Sequence, residues 1–119
     1  MSTTMHKQRQ DMQREPMHAC HGGDGALDWT NVLDPRELQQ AKLSFLHHNT
    51  LPPGASIGLH THTDDEEYYY FLSGSGLMTL DDRRLRVTAG DITAVYPGGQ
   101  HALKNDSEHD IEFIVIAIK

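Results

Sequence analysis

The sequence predicts an all-β protein folded as a sandwich or barrel of about eight short strands. Short runs of apolar and aromatic residues that alternate with polar ones fill the chain from residue 42 onward, as half-buried strands require. Proline, glycine or paired aspartate residues separate these runs at 52–54, 73–76, 81–82 and 97–99. At 119 residues the chain has the length of one domain.

The N-terminal arm, residues 1–26, contains no Leu, Ile, Val, Phe, Trp or Tyr. Such a segment cannot bury a core of its own, so we expect an irregular arm that is flexible or packs on the barrel or on a partner subunit. His18, Cys20 and His21 are residue types that bind soft metals, but such sites usually need a second pair of ligands that the chain lacks. We therefore expect an accidental cluster there and place the barrel at residues 27–119.

A short helix is predicted after the first barrel residues. Asp34 suits the capping position, Pro35 suits the first helical position, and Glu37 completes a capping box. The helix is expected to run through about Ala41.

The rest of the chain is predicted to be strand and turn. The strands are expected near 42–51, 55–62, 67–73, 76–80, 84–88, 92–96, 101–105 and 111–118. The last strand is apolar on both faces after Glu112, so both faces should be covered. A second subunit on the outward face is the simplest cover and predicts a homodimer, whereas the alternative is cover by the N-terminal arm.

Charge and composition argue against several classes of partner. Ten basic and seventeen acidic residues give a net charge of −7, which does not favour nucleic acid or an anionic membrane. No apolar run approaches the roughly 20 residues of a membrane span, and the N-terminus lacks the apolar core of a signal peptide. Cys20 is the single cysteine, so no intrachain disulfide can form. We expect a cytoplasmic protein with a small-molecule substrate.

Three histidines and a glutamate have the spacing of a metal site built on strands. His60 and His62 lie two residues apart and so point to the same face of a strand, whereas helical ligands lie three or four apart. Glu67 and His101 would complete the set from other strands. Imidazole and carboxylate ligands suit Mn²⁺, Fe²⁺, Co²⁺, Ni²⁺ or Zn²⁺ and leave two positions of an octahedral shell open. We predict one divalent transition metal per chain, its identity left open.

The stretch from His60 to Gly74 resembles the first motif of the cupin superfamily, which has two histidines, a glutamate and a glycine that closes the next strand. Glu67 leaves six residues before Gly74, as in the family, whereas Glu66 would leave seven. The resemblance therefore assigns the glutamate position to Glu67.

Residues 90–105 resemble the second cupin motif. The matching positions are Gly90, Gly98, His101 and Asn105. Tyr96 stands where the family often has proline, but Pro97 beside it still stiffens the turn.

The resemblance implies a cupin-type double-stranded β-helix, or jelly-roll barrel, that holds the metal inside. It does not fix the reaction, because cupins include decarboxylases, dioxygenases, isomerases, lyases, epimerases and sugar-binding modules. We favour a metal-dependent enzyme in which the metal acts as a Lewis acid for decarboxylation or isomerisation of a small organic acid, sugar or uronic acid. The alternatives are an iron-dependent dioxygenase and a non-catalytic sugar-binding cupin.

Strand alternation identifies two catalytic candidates. If Glu67 points inward, so does Tyr69, which could donate a proton or clamp the substrate; alternatively its ring only packs, with the hydroxyl bonded at the rim. His47 and His48 point to opposite faces, so at most one reaches the cavity. We take His47 as the second candidate.

Overall fold

The computed structural model describes residues 3–38 and 41–119 and consists of two antiparallel sheets. The strands are β1 (Gln13–His18), β2 (Ala26–Leu33), β3 (Leu43–Leu51), β4 (Ser56–Thr61), β5 (Glu66–Ser73), β6 (Ser75–Leu80), β7 (Arg83–Thr88), β8 (Ile92–Val95), β9 (Gln100–Lys104) and β10 (Ile111–Ile118). One sheet has the order β1-β2-β3-β10-β5-β8 and the other has the order β4-β9-β6-β7. The all-β prediction is confirmed. Within the described residues, no helix is long and apolar enough to cross a membrane.

The eight strands predicted after residue 41 are confirmed, each with ends within about one residue of the expected ones. Strands β1 and β2 were not predicted. In β1 only Met17 packs against the core, so the alternation that reveals a strand is missing. The strand forms because it pairs in antiparallel register with β2, and its edge position tolerates Pro16. The arm expected to be irregular therefore contains a strand.

The predicted helix is shorter than expected. A single 3₁₀ turn covers Pro35–Glu37, and the backbone is already extended at Leu38. The capping box is present: the N–H of Arg36 donates to the Asp34 carboxylate (2.9 Å), and the N–H of Asp34 donates to the Glu37 carboxylate (3.1 Å). Residues 39–40 lie outside the described residues, and Ala41 is not helical. Because β3 begins at Leu43, there is little chain left for a helix.

The hydrophobic core lies between the two sheets, and β10 runs through the middle of the larger one. Its residues Phe113, Val115 and Ala117 are buried against the core, whereas Ile114 and Ile116 alternate onto the outer face. The buried apolar cluster comprises Leu27, Leu51, Ala55, Ile57, Tyr69, Phe71, Met78, Val87, Leu103, Ile111, Phe113 and Val115.

Asn105 ties the end of β9 to two other parts of the chain. Its side chain is fully buried, and its amide donates to the carbonyl oxygens of Leu51 (2.8 Å) and His109 (2.7 Å). Its side-chain oxygen accepts from the N–H (3.0 Å) and the hydroxyl (2.7 Å) of Ser107. All the hydrogen-bonding capacity of this amide is used inside the protein.

We expect Asn105→Ala to lower the free energy of unfolding by about 2–4 kcal/mol, because it removes the amide donor of the buried Leu51 carbonyl and one of the two side-chain donors of the His109 carbonyl. Chemical denaturation of the metal-free protein measures the change. Ser107→Ala is the matched control and should cost about 1 kcal/mol or less, since it removes one partly exposed hydroxyl. Equal losses in the two variants would contradict this role of Asn105.

Candidate metal centre

His60, His62, Glu67 and His101 come together in the interior from three strands, with one potential ligand atom from each lying within 4.8 Å of the others. The Nε2 atom of His101 lies 3.0 Å from Nε2 of His60 and 3.1 Å from Nε2 of His62. The Glu67 Oε1 atom lies 3.2 Å from Nε2 of His101 and 3.5 Å from Nε2 of His62. Ligands about 2.1 Å from one ion at right angles lie about 3 Å apart, so the spacing fits a bound metal.

The strand pairing explains this convergence. His60 and His101 are register partners on β4 and β9 of the smaller sheet, and His62 lies on the same side of the chain as His60, just past the end of β4. Glu67 enters from β5 of the larger sheet, where it is paired with Ala117. The two sheets therefore bring their ligands together between them.

Hydrogen bonds at the far side of two rings orient their metal-facing nitrogens. Nδ1 of His60 lies 2.7 Å from the Gly58 carbonyl oxygen, and Nδ1 of His62 lies 2.9 Å from Oδ1 of Asp65. Both acceptors require a proton on Nδ1, which leaves the Nε2 lone pairs directed at the centre. Asp65 was not recognised in the sequence, where an acidic run at 64–66 is typical of solvated surface.

Burial favours the uncharged form of the His60 imidazole. His101 and Glu67 are only 1% and 7% exposed. Burial lowers the pKa of His60 to about 4, against the opposing effect of its hydrogen bond to Gly58. At neutral pH this ring is therefore neutral, which is the form that binds a metal.

Tyr69 lies inside the protein beside the cluster, as alternation from Glu67 predicts. Its ring centroid is 4.8 Å from that of His101 and 5.0 Å from that of Phe113, whereas Tyr70 is exposed on the opposite face. Burial, and then the negative charge of Glu67, raise the pKa of Tyr69 well above its usual value. The phenol therefore stays protonated at neutral pH and carries a proton that it can donate in a hydrogen bond.

His47 and His48 point to opposite faces, as expected. His47 faces inward, stacks on Phe45 at 4.1 Å and meets the edge of Trp29 at 5.1 Å. Burial lowers its pKa to about 4. His48 faces outward, with Nε2 2.9 Å from Oε1 of Glu112. His47 is thus on the interior wall, but it is not one of the four clustered residues.

The structure also brings two residues of the N-terminal arm to the site. The ring of His21 stacks on that of His60, and Cys20 packs against the core. Burial raises the pKa of the Cys20 thiol, and the charge of Glu67 adds to the rise. Among the described residues, His18, Cys20 and His21 do not form a metal-ligand group of their own, but His21 contacts a member of the group that exists. No periodic pattern in the sequence could have predicted that contact.

Comparison with known proteins gives concordant matches. Residues 47–117 match the family model described as "Cupin domain", a range that contains all four clustered residues. The chain is 31% identical over 104 residues to an oxalate-binding protein of Thermotoga maritima, covering 87% of this chain and 85% of that protein. It is 42% identical over 74 residues to an uncharacterized protein of Methanocaldococcus jannaschii, covering 62% and 58% of the two chains. The crystal structure of a predicted oxalate decarboxylase from Thermotoga maritima superimposes with a TM-score of 0.88 and 28% identity, covering 96% and 98%.

We expect the purified protein to bind about one divalent transition metal ion per chain after reloading. His62→Ala should abolish retention of the ion, because it removes one of the four converging groups. Elemental analysis after gel filtration measures the ratio. The matched control is His18→Ala, which alters an exposed histidine of the arm and should leave the ratio unchanged. A wild-type ratio far below one, or equal loss in the control, would refute the assignment.

Proposed function

The chain belongs to the cupin family, and on that premise we propose that it is a metal-dependent enzyme acting on a small organic acid that chelates the metal, with oxalate as the first candidate. The observation that carries the proposal is the buried convergence of His60, His62, Glu67 and His101. The relative named as an oxalate-binding protein supports the substrate class. Sugar and uronic acids, which also present adjacent oxygen ligands, are the wider class.

A divalent ion held by this set would serve as a Lewis acid that polarises a bound carboxylate or carbonyl oxygen. The donor set, three neutral imidazoles and a carboxylate, suits manganese, iron, nickel, cobalt or zinc. The chain's part is to hold and orient these donors. Gly58 and Asp65 do so by accepting hydrogen bonds from His60 and His62.

Tyr69 is the proposed catalytic acid. Its phenol is protonated, lies beside Glu67 and His101, and is shielded from bulk water. Decarboxylation of oxalate consumes one proton as it yields carbon dioxide and formate, and isomerisation needs a proton moved between neighbouring atoms. A buried donor next to the ligand cluster would supply the proton that decarboxylation consumes, whereas isomerisation would also need a separate base. His47, further along the interior wall, is proposed to contact the substrate as a neutral imidazole.

The largely apolar interior also holds buried polar side chains whose oxygen atoms lack hydrogen-bond partners. Asn49 and Thr93 are at least nine-tenths buried, and the side-chain oxygen of each lacks a hydrogen-bond partner among the described residues. Thr93 is the register partner of Tyr69, on the same inner face. No lysine or arginine is buried within the described residues. The side chains of Asn49 and Thr93 suit an acid of the wider class, whose carboxylate would bind the metal and whose hydroxyl groups would be uncharged hydrogen-bonding partners; oxalate itself has no such groups.

We further propose that the protein is a homodimer joined through the outer face of the larger sheet. Across that face, Leu46, Ile116 and Tyr68 are aligned in one row, while Ile114, Tyr70 and Ile92 are aligned in the next. Tyr70 and Ile92 are exposed despite the N-terminal arm, which pairs with the far edge of the sheet. A second copy of this chain would cover this face, because its own apolar face would match it. A cytoplasmic location stays a prediction from the sequence.

The enzyme proposal predicts that the metal-loaded protein binds oxalate and converts it without O₂, and that removal of the metal by a chelator abolishes both. Calorimetry measures binding, and product analysis under anaerobic conditions measures turnover. Turnover that requires O₂ with iron bound would favour a dioxygenase instead. Binding without turnover across a panel of organic and sugar acids would leave a non-catalytic binding cupin.

Tyr69→Phe extends this test to the proposed acid. We expect kcat to fall by about 100-fold while metal content and oxalate affinity change little, because only the proton donor is lost. Tyr70→Phe, on the same strand but facing outward, is the matched control and should retain full kcat. Unchanged kcat in Tyr69→Phe would mean that Tyr69 only packs.

The dimer proposal predicts a sedimentation mass near two chains at micromolar concentration. Ile116→Glu should give a mass near one chain, because it places a charge in the centre of the apolar face. Met5→Glu changes an exposed apolar residue of the arm and should leave the dimer intact. A wild-type mass near one chain would contradict the proposal.

A further inference from the structure

We propose that residues 19–25, the strap, form part of the metal centre, in which His21 is a positioning residue that holds the imidazole of His60. This inference rests on the proposed metal site and adds to it a residue outside the ligand set. The observation that carries it is the close stacking of two imidazole rings. The rings of His21 and His60 are stacked with centroids 3.6 Å apart and planes inclined by only 9°.

The strap has a backbone shape that places His21 on that ring. Ala19 and His21 both adopt left-handed backbone angles, with φ of 48° and 50°. Residues other than glycine rarely adopt this conformation, although histidine does so more often than most. Hydrogen bonds from the N–H of Gly22 to the Ala19 carbonyl and from the N–H of Ala19 to the Gly25 carbonyl close the turn, each 2.9 Å long. Between the two left-handed residues, Cys20 packs against the core.

The strap is docked directly on β4, the strand that carries His60. The N–H of Ser56 donates to the Asp24 carbonyl and the N–H of Asp24 donates to the Ser56 hydroxyl, both at 2.8 Å. A β-carbon added at Gly58 would lie 2.0 Å from the carbonyl oxygen of His21. The two backbones therefore approach as closely as glycine alone permits.

Gly58 supports the position of His60 in two ways. Its carbonyl oxygen accepts the Nδ1 proton of His60 (2.7 Å), while its missing side chain leaves room for the strap. His60 is held at its ring edge by Gly58 and on its ring face by His21. Rotation of the imidazole away from the centre would break both contacts. Of the four clustered residues, His60 and His62 are the less buried pair, so an outside support matters there.

Two substitutions at position 21 distinguish the effect of the His21 ring from the effect of its left-handed backbone conformation. His21→Asn keeps a residue that tolerates left-handed angles but removes the ring, and His21→Phe keeps a flat ring but removes both nitrogens. We expect the dissociation constant for Mn²⁺ to rise about tenfold in His21→Asn, as is typical when a residue that orients a metal ligand is lost. His21→Phe should restore binding to within about threefold of wild type, since stacking survives.

Competition with a fluorescent chelator measures the dissociation constants, and His18→Asn is the matched control in the same arm. Unchanged affinity in His21→Asn would overturn the proposal. Equal loss in His21→Asn and His21→Phe, with the metal-free His21→Phe protein as stable as wild type, would overturn it too, because it would show that a ring nitrogen of His21 acts and not its stacking face. Thermal unfolding of the metal-free variants should match wild type, and a large loss of stability there would assign His21 to folding instead. Wild-type protein that binds Mn²⁺ but turns over no acid would defeat the proposed enzyme and leave this inference standing.

Discussion

The structure depends on the mutual approach of four polar groups that a metal ion held between them would satisfy together. The Nε2 atom of His101 lies 3.0 Å, 3.1 Å and 3.2 Å from the ligand atoms of His60, His62 and Glu67, and the inward nitrogens of His60 and His62 carry lone pairs because their other nitrogens hold the protons. His101 and Glu67 are removed from water as well. Register fixed by the two sheets enforces this arrangement, and a bound cation would satisfy all four groups at once.

Strand periodicity explains why much of this could be predicted from the sequence. His60 and His62 follow from their spacing of two, and the inward direction of Tyr69 follows from that of Glu67. Glu67 and His101 lie 34 residues apart, so no local pattern links them, and the cupin resemblance had to supply their pairing. The match of residues 47–117 to the cupin domain confirms that resemblance.

The features that could not be predicted from the sequence have no periodic pattern of apolar and polar residues. Strand β1 has exposed polar side chains and exists because β2 offers it an edge, while Asp65 bonds His62 from an acidic run that resembles ordinary surface. His21 reaches His60 only because the chain folds back over β4 where Gly58 lets it approach. Such contacts are set by tertiary geometry, which composition and spacing do not encode.

Strand β10 links the site to the outer surface of the molecule. Its inward residues Val115 and Ala117 are register partners of Tyr69 and Glu67, so they lie beside these residues on the inner face of the larger sheet. Its outward residues, Ile114 among them, form the apolar face between β3 and β5. Closely packed cores have little free space. A partner that packs on the outer face of β10 would therefore also restrict movement of Val115 and Ala117 on its inner face.

Electrostatics limits what the interior can hold. The chain carries a net charge of −7, the Glu67 carboxyl group is buried, and within the described residues no buried lysine or arginine lies opposite it. An anion entering this space would meet repulsion and would lose its hydration, a cost that neutral groups such as Asn49 and Thr93 cannot offset. A cation held by the ligand cluster reverses that balance at the one point where an acid would bind. On the proposed function, metal occupancy and binding of an acidic substrate would therefore be coupled by charge.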